Sequence, residues 1–273
     1  MHQSASAQIG HSSPPFSLEH SLARSWKGRL NMKLNAIAAI AIASAVMTAL
    51  PLGPALAQSS AAANETRSVS FGDTEIVRQA PSQHCLLDAS QGADQKLIAS
   101  FFRPRAGNLN TYLGAFLDCK SLMALRNTGS ENIQVASYAY YLAFTATATD
   151  PVPSSRDLIL RRVCDSTRTR DGTLDLADVA AKREIEAKME VLPIGKPWFG
   201  PVVAQDENGC YQIILYKSRV SGIENREAMV TIVTFVKRRQ VTYTRATPYF
   251  NERLTSFVKM VQSEVATFVE LNP

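Results

Sequence analysis

The C-terminal stretch constrains the fold more than any other part of the chain. From Asn251 onward, Leu254, Phe257, Val258, Val261, Val265, Phe268 and Val269 fall on one helical stripe. Glu252, Lys259, Gln262, Ser263 and Glu270 lie on the opposite side. A helix with one apolar stripe must lie against another apolar layer, and that layer stands immediately upstream. Cys210–Val220, Ala228–Val236 and Val241–Thr247 are runs rich in β-branched and aromatic residues, separated by short polar turns. Strands joined this way form a meander, which is antiparallel. The expected class is therefore α+β. It has an antiparallel sheet ending in a C-terminal meander, helices packed on the sheet faces, and a long amphipathic helix with Asn251 as its N-cap.

At the other end, Met32–Ala57 (MKLNAIAAIAIASAVMTALPLGPALA) has the parts of a secretory signal peptide: a basic Lys33, an apolar run over Ala36–Ala49, and small residues at Ala55 and Ala57. Pro51, Gly53 and Pro54 break the run. The run is short of the roughly 20 residues that span a bilayer. Cleavage is expected between Ala57 and Gln58, giving a periplasmic or secreted protein with no stable membrane span. An uncleaved anchor is the alternative. Residues 1–31 show no apolar period, and Met32 is the expected start. The expected organisation is a leader over 1–57, a disordered mature N-terminus over 58–66, and one α+β domain over 67–273.

The charge balance excludes one function class. The chain carries 29 basic and 24 acidic residues. The leader holds Arg24, Lys27, Arg29 and Lys33 but only Glu19 among acidic residues, so the mature part is nearly neutral. Nucleic-acid binding calls for a dense basic face, which this balance does not provide. All four cysteines, Cys85, Cys119, Cys164 and Cys210, lie after the leader. An even count in an exported chain points to disulfides. Four cysteines allow three connectivities, and sequence alone does not choose among them. Cys85–Cys119 and Cys164–Cys210 is the expected pairing: the first would join two short apolar runs, the second a helix and a hairpin. Zinc is disfavoured, because the cysteines are not closely paired and only His84 follows the leader.

Between the two ends, Arg67–Arg78 alternates like a hairpin around Gly72-Asp73. Asp94–Phe102 has helical spacing, Tyr112–Cys119 reads as a strand, and Leu122–Leu125 as a short helix stopped near Gly129. Ile133–Ala148, with Tyr138, Tyr140 and Tyr141, reads as a strand. Ser154 or Ser155 would cap a helix running to Cys164, and Leu174–Val191 would form another.

Catalytic motifs are sparse. His84 sits beside Cys85, and adjacent side chains of an extended segment point apart; it reads as a surface or strand-end residue. GxSxG, GxGxxG and P-loop patterns are missing. Asp88 and Asp118 flank Cys85 and Cys119 symmetrically, so the expected bridge could bring them together as a carboxylate pair. Otherwise each caps the helix that follows it. Asp206 and Glu207 are further carboxylates with nothing to order them. No cofactor or metal site is expected.

Two segments are candidates for binding. Pro193–Pro201 (PIGKPWFGP) is read as an irregular loop displaying Trp198 and Phe199, and tryptophan is enriched at binding hot spots. Lys237-Arg238-Arg239 is the densest basic cluster and falls at a hairpin turn, either as a solvated tip or as a contact for an acidic partner. Function is thus expected to be non-catalytic binding of an unknown partner protein or small ligand in the cell envelope. A secreted carboxylate hydrolase or a structural envelope protein are the alternatives.

The order of elements resembles that of PsbP-like and related exported bacterial proteins. The resemblance is carried by the short β start near Phe71, the helix Asp94–Phe102, the paired strands Ala228–Val236 and Val241–Thr247, and the helix Asn251–Asn272. It implies an antiparallel sheet with helices on both faces and a binding or assembly role, and it assigns no functional residue.

Overall fold

A computed structural model of the chain describes residues 65–129, 135, 137–152, 155–167, 173–220 and 222–273. The leader, the mature N-terminus up to Asn64, Ser154 and the polar loop at 168–172 lie outside them.

The described chain starts with a hairpin of β1 (Thr66–Phe71) and β2 (Thr74–Gln79). Next come β3 (His84–Leu86), α1 (Gly92–Leu97), a π-helical turn (Ile98–Phe102), α2 (Arg103–Ala106), β4 (Asn110–Asp118) and α3 (Cys119–Thr128). β5 (Tyr138–Phe144) leads through a 3-10 turn (Thr145–Ala148) to α4 (Arg156–Thr167) and α5 (Val179–Val191). The meander is β6 (Trp198–Asp206), β7 (Gly209–Val220), β8 (Ile223–Val236) and β9 (Arg239–Pro248). A 3-10 turn (Asn251–Arg253) and α6 (Leu254–Glu270) end the chain.

Seven strands form one antiparallel sheet in the order β3-β4-β5-β9-β8-β7-β6. The period-2 alternation of side chains sorts them onto two faces. One face carries Phe116, Tyr141, Tyr211, Ile213, Val230 and Tyr243 in a single core with α5, α6 and the β1–β2 hairpin. All of the α6 stripe from Leu254 to Phe268 is buried in it. The other face carries Leu117, Tyr138, Tyr140, Ile214, Met229 and Ala246 under the helical segments α1 to α3. α4 covers the far end of this second face through Leu160, against Val233 and Phe235. The α+β expectation holds: the sheet lies between helical layers.

The end of α6 is tied down by one amide. Asn272 accepts the Val77 N–H at 2.8 Å and donates to the Val77 carbonyl at 2.8 Å, pairing with β2 as a strand residue would. Asn251 does not cap α6. It opens the 3-10 turn without a side-chain cap bond, and its amide donates to Glu186 Oε2 at 3.1 Å. Residues 173–178 are not helical either. Thr173 forms a parallel bridge to Val202, the Leu174 N–H donates to the Val202 carbonyl, and Asp178 then caps α5 through the Ala180 N–H. This short stretch covers part of the exposed edge of β6.

Both expected disulfides are present. Cys85–Cys119 joins β3 to the start of α3, with Cα atoms 4.9 Å apart. Cys164–Cys210 joins α4 to β7 at 5.5 Å and packs on Val202. The expected helix-to-hairpin link is this second bridge.

Candidate functional site

The strand order brings the ends of β4, β7 and β9 and the starts of β5 and β8 to one end of the sheet. There, α1, the π turn and α3 stand off the second face and leave a groove of about 860 Å³. That is within the size range of small-molecule sites. Leu117, Tyr138, Tyr216 and Ala246 line its sheet side, and Leu97, Phe101, Phe102 and Ala124 its helical side. The end wall comes from Glu224–Glu227 of β8 and Thr247–Tyr249 at the end of β9.

The aromatic part depends on the π turn. Phe101 and Phe102 are sequence neighbours, yet both rings meet Tyr138 edge-on, with centroids 5.3 and 5.9 Å away. The wider turn at Ile98–Phe102 delivers both rings to the same side, and turns of this kind are frequent at functional sites. Arg105 stacks over the Phe101 ring at 3.3 Å and donates to the Phe101 carbonyl. The helical wall is fixed by Asp94. Fully buried, it accepts two bonds from Arg126 of α3, at 3.2 and 2.7 Å, and one from the Asp88 N–H at 2.8 Å.

Two carboxylates near the groove are underused: Glu227 on the second face, and Asp118 at the end of β4 opposite His84. The Tyr138 hydroxyl lies 3.3 Å from Glu227 Oε2 and 3.5 Å from Met229 Sδ, so Glu227 receives one long bond. No basic side chain pairs with Glu227 among the described residues. Burial holds its carboxyl above the ordinary range, and the charge of Arg105 and the Tyr138 bond only partly offset this. Asp118 accepts the Ser121 N–H at 2.9 Å through Oδ1 as the N-cap of α3. Its Oδ2 is buried without a partner among the described residues. Of the other charged groups at the rim, Lys120 also lines the groove. Arg226 binds Glu190 and Glu224, and Lys217 lies 3.8 Å from Glu224.

His84 takes the strand-end place of the two expected, not the surface one. It begins β3, as a strand-end residue would, but it is buried at 4% exposure. Nδ1 lies 2.7 Å from the Ser82 carbonyl and Nε2 2.9 Å from Ser137 Oγ. A carbonyl only accepts, so Nδ1 carries the proton and Nε2 accepts the Ser137 hydroxyl. The contact with Ser137, which lines the groove, was not visible in sequence because 53 residues separate the two. Burial and then the charge of Arg245, whose Nη2 lies 3.5 Å from Nδ1, lower the His84 pKa to about 4. Arg245 is buried too; its Nη1 donates to the Tyr138 carbonyl, and its Nε lies 3.6 Å from Glu264, which accepts the Tyr243 hydroxyl at 2.6 Å.

The predicted binding residues are dispersed. Trp198 and Phe199 are in β6, not in a loop, paired with Leu215 and Ile214. Strand alternation sends Trp198 to the first core and Phe199 to the second, so they form no joint aromatic surface. At the β8–β9 turn, Lys237 and Arg238 take φ of 46° and 61°. Lys237 Nζ donates to the Glu75 carbonyl and Arg238 Nε to the Val152 carbonyl. Arg239, 2% exposed, binds Asp73 and the Thr147 carbonyl. The cluster therefore ties the turn to β2 and to the segment after β5, and Arg239 is no solvated tip. Asp88 and Asp118 do not form a pair. The β3–β4 register sets His84 opposite Asp118, so Asp88 is four residues farther along, about 13 Å at strand rise. Asp88 accepts from Ser90, and Asp206 accepts from Asn208 and Tyr211.

Comparison with known proteins adds little to this geometry. No protein-family model matches the chain, and no curated protein matches it. Among solved structures it is similar to Mog1p, a Ran-binding protein of Saccharomyces cerevisiae, at 9% identity over 76% of this chain and 90% of that chain, with a TM-score of 0.29. A likeness at that level carries no argument about fold or function.

Proposed function

We propose that this is an exported, non-catalytic protein that holds a small ligand in the groove beneath α1 and α3. The observation that supports it most is the groove itself: a cleft of about 860 Å³ with an aromatic lining and a few polar groups at its end. Export is supported by the leader sequence Met32–Ala57 and by two disulfides, which persist in oxidising compartments. Among the described residues no helix is long and apolar enough to cross a membrane. The order of hairpin, meander and terminal helix supports the proposed relation to PsbP-like exported proteins.

A hydrolase built on Asp88 and Asp118 loses its basis with their separation. The His84–Ser137 contact does not replace it, because a base held near pKa 4 takes a serine proton poorly at neutral pH.

Ala124→Trp tests the proposal. Ala124 is exposed on α3 and lines the groove, so the indole fills the groove without disturbing the core. A fragment set screened by ligand-observed NMR is expected to give ligands that bind the natural protein and not the variant. Ligands that bind both equally, or none at all, would refute the groove. The exported protein is expected to have a mass starting at Gln58 and four hydrogens light; a retained leader or free thiols would refute export.

A further inference from the structure

We infer that the groove binds a short linear peptide with free ends, about four residues long, its ammonium at Glu227, its carboxylate at Lys120 and its apolar side chains among Leu97, Phe101 and Tyr138. This rests on the small-ligand reading of the same groove and names the chemistry of its occupant.

The groove is bipolar. Leu117, Tyr138, Ala246 and Met229 are register partners in turn, so one row of second-face side chains crosses β4, β5, β9 and β8. Glu227 lies two residues before Met229 on β8, and Lys120 lies three residues after Leu117, in the first turn of α3. β4 and β8 run in opposite directions, so both residues fall on the same side of that row. Three strand spacings separate them, about 14 Å. Both line the groove, and the lining between them is apolar: Leu97, Phe101, Leu117, Val135, Tyr138 and Ala246.

The two charges are uncommitted. Lys120 is exposed and has no ion pair among the described residues. Glu227 stands between its register partners Tyr216 and Pro248 and accepts the Tyr138 hydroxyl at 3.3 Å, long for an O–H···O contact. The other charged lining residues do not compete. Glu224 and Arg226 bind each other, and Arg226 binds Glu190 as well. Asp118 is on the first face as the cap of α3, with Oδ2 closed to solvent. Tyr249 follows Pro248 at the Glu227 end, and its hydroxyl has no partner among the described residues. A hydroxyl donates and accepts, so it suits an ammonium there. A ligand with one charge leaves either Glu227 or Lys120 unmet. A chain of four extended residues advances about 3.3–3.6 Å per residue, which sets its two terminal charges about 14 Å apart.

The tetrapeptide Ala-Phe-Leu-Ala tests this in four forms: free, N-acetylated, C-amidated and blocked at both ends. Each is titrated calorimetrically at neutral pH into the exported, disulfide-intact protein. The free form is expected to bind about tenfold tighter than either singly blocked form, equivalent to roughly 1.4 kcal/mol for each charge. The free dipeptide Phe-Leu, too short to span the groove, is expected to bind no tighter than the doubly blocked tetrapeptide. Glu227→Gln keeps an acceptor for Tyr138 and is expected to abolish the effect of acetylation alone. Lys120→Gln changes an exposed side chain and is expected to abolish the effect of amidation alone. Free and blocked forms that bind equally would overturn the role of the terminal charges and leave the groove as a binding site. A preference for free ends that survives both variants would overturn the assignment to Glu227 and Lys120. Binding of no peptide by a protein that still takes fragments into the groove would overturn the peptide assignment alone; binding of neither would overturn the small-ligand reading as well.

Discussion

The Ser137 hydroxyl sits 2.9 Å from Nε2 of His84, while Nδ1 of the same ring faces the Ser82 carbonyl at 2.7 Å. The spacing is that of a nucleophile and its base, but the electrostatics run the other way. A catalytic imidazole must become imidazolium in the transition state, and here burial and Arg245 oppose that charge. An alkyl fluorophosphonate is therefore expected to leave Ser137 unmodified, as read by peptide mass after overnight exposure at pH 7.5. Stoichiometric labelling of Ser137 that disappears in His84→Gln would restore the hydrolase alternative.

The same histidine makes stability depend on pH. In the unfolded chain it titrates near 6.5, and in the fold at about 4. Between these values the unfolded state binds more protons, so stability is present above pH 6.5 and is lost as pH falls toward 4. The full loss is about 3 kcal/mol at roughly 1.4 kcal/mol per pKa unit. Burial raises Glu227 and Glu264, which acts in the opposite direction. Those groups, with Arg245 and Asp118 beside His84, are retained in His84→Gln, so the difference between the two proteins isolates the ring. Urea unfolding from pH 7 to pH 4 is expected to show the natural protein losing about 3 kcal/mol more than the variant. Parallel pH profiles would show that His84 titrates normally in the fold.

Much of the fold was legible because it rests on periodicity. The α6 stripe, the meander and the β1–β2 hairpin each repeat their signal over several residues, and the structure places all three as expected. The cysteine pairing agreed because the runs around Cys85 and Cys119 do lie on neighbouring elements. The site was less legible. PIGKPWFGP has the composition of a loop, but the pairing of Trp198 and Phe199 with Leu215 and Ile214 makes it a strand; tertiary pairing overrode local propensity. The groove is assembled from residues between Leu97 and Tyr249, and no local pattern records that convergence. The unpaired Asp118 Oδ2 and the depressed pKa of His84 are products of burial, which one sequence does not display. Two signals were available: Phe101-Phe102, adjacent aromatics that a plain α-helix does not direct to one ring, and the tyrosine-rich strand that supplies Tyr138.

Arg78 explains a glycine. Its guanidinium lies buried on the first face, with Nη1 donating to the Leu113 carbonyl at 2.5 Å. Gly114 follows at a register shift between β4 and β5, with φ +154, and a Cβ there would sit 1.8 Å from Arg78 Nη1. Gly114→Ala must displace the guanidinium and leave a buried charge poorly bonded, a change that costs about 3 kcal/mol or more. Arg78→Met removes the charge and the clash together. The double variant is expected to be more stable than Gly114→Ala alone, since contacting residues couple. Additive losses in a chemical-denaturation cycle would mean that the two positions do not meet.

Trp198 and Phe199 offer a test of the strand that replaced the expected loop. The Trp198 ring folds over Gly200, two residues along the same face, where a Cβ would lie 2.5 Å from its Cζ3. It is half-buried and packs on the core beneath α5 and α6. Phe199 packs on the opposite core, the one that also lines the groove. Trp198→Ala is thus expected to lower unfolding stability by about 2–3 kcal/mol, below the 3–5 kcal/mol of a fully buried aromatic. It is expected to leave probe affinity in the groove unchanged, because the sheet separates the two. A Trp198→Ala protein that keeps its full stability but loses affinity would return Trp198 to the binding surface and overturn its placement in β6.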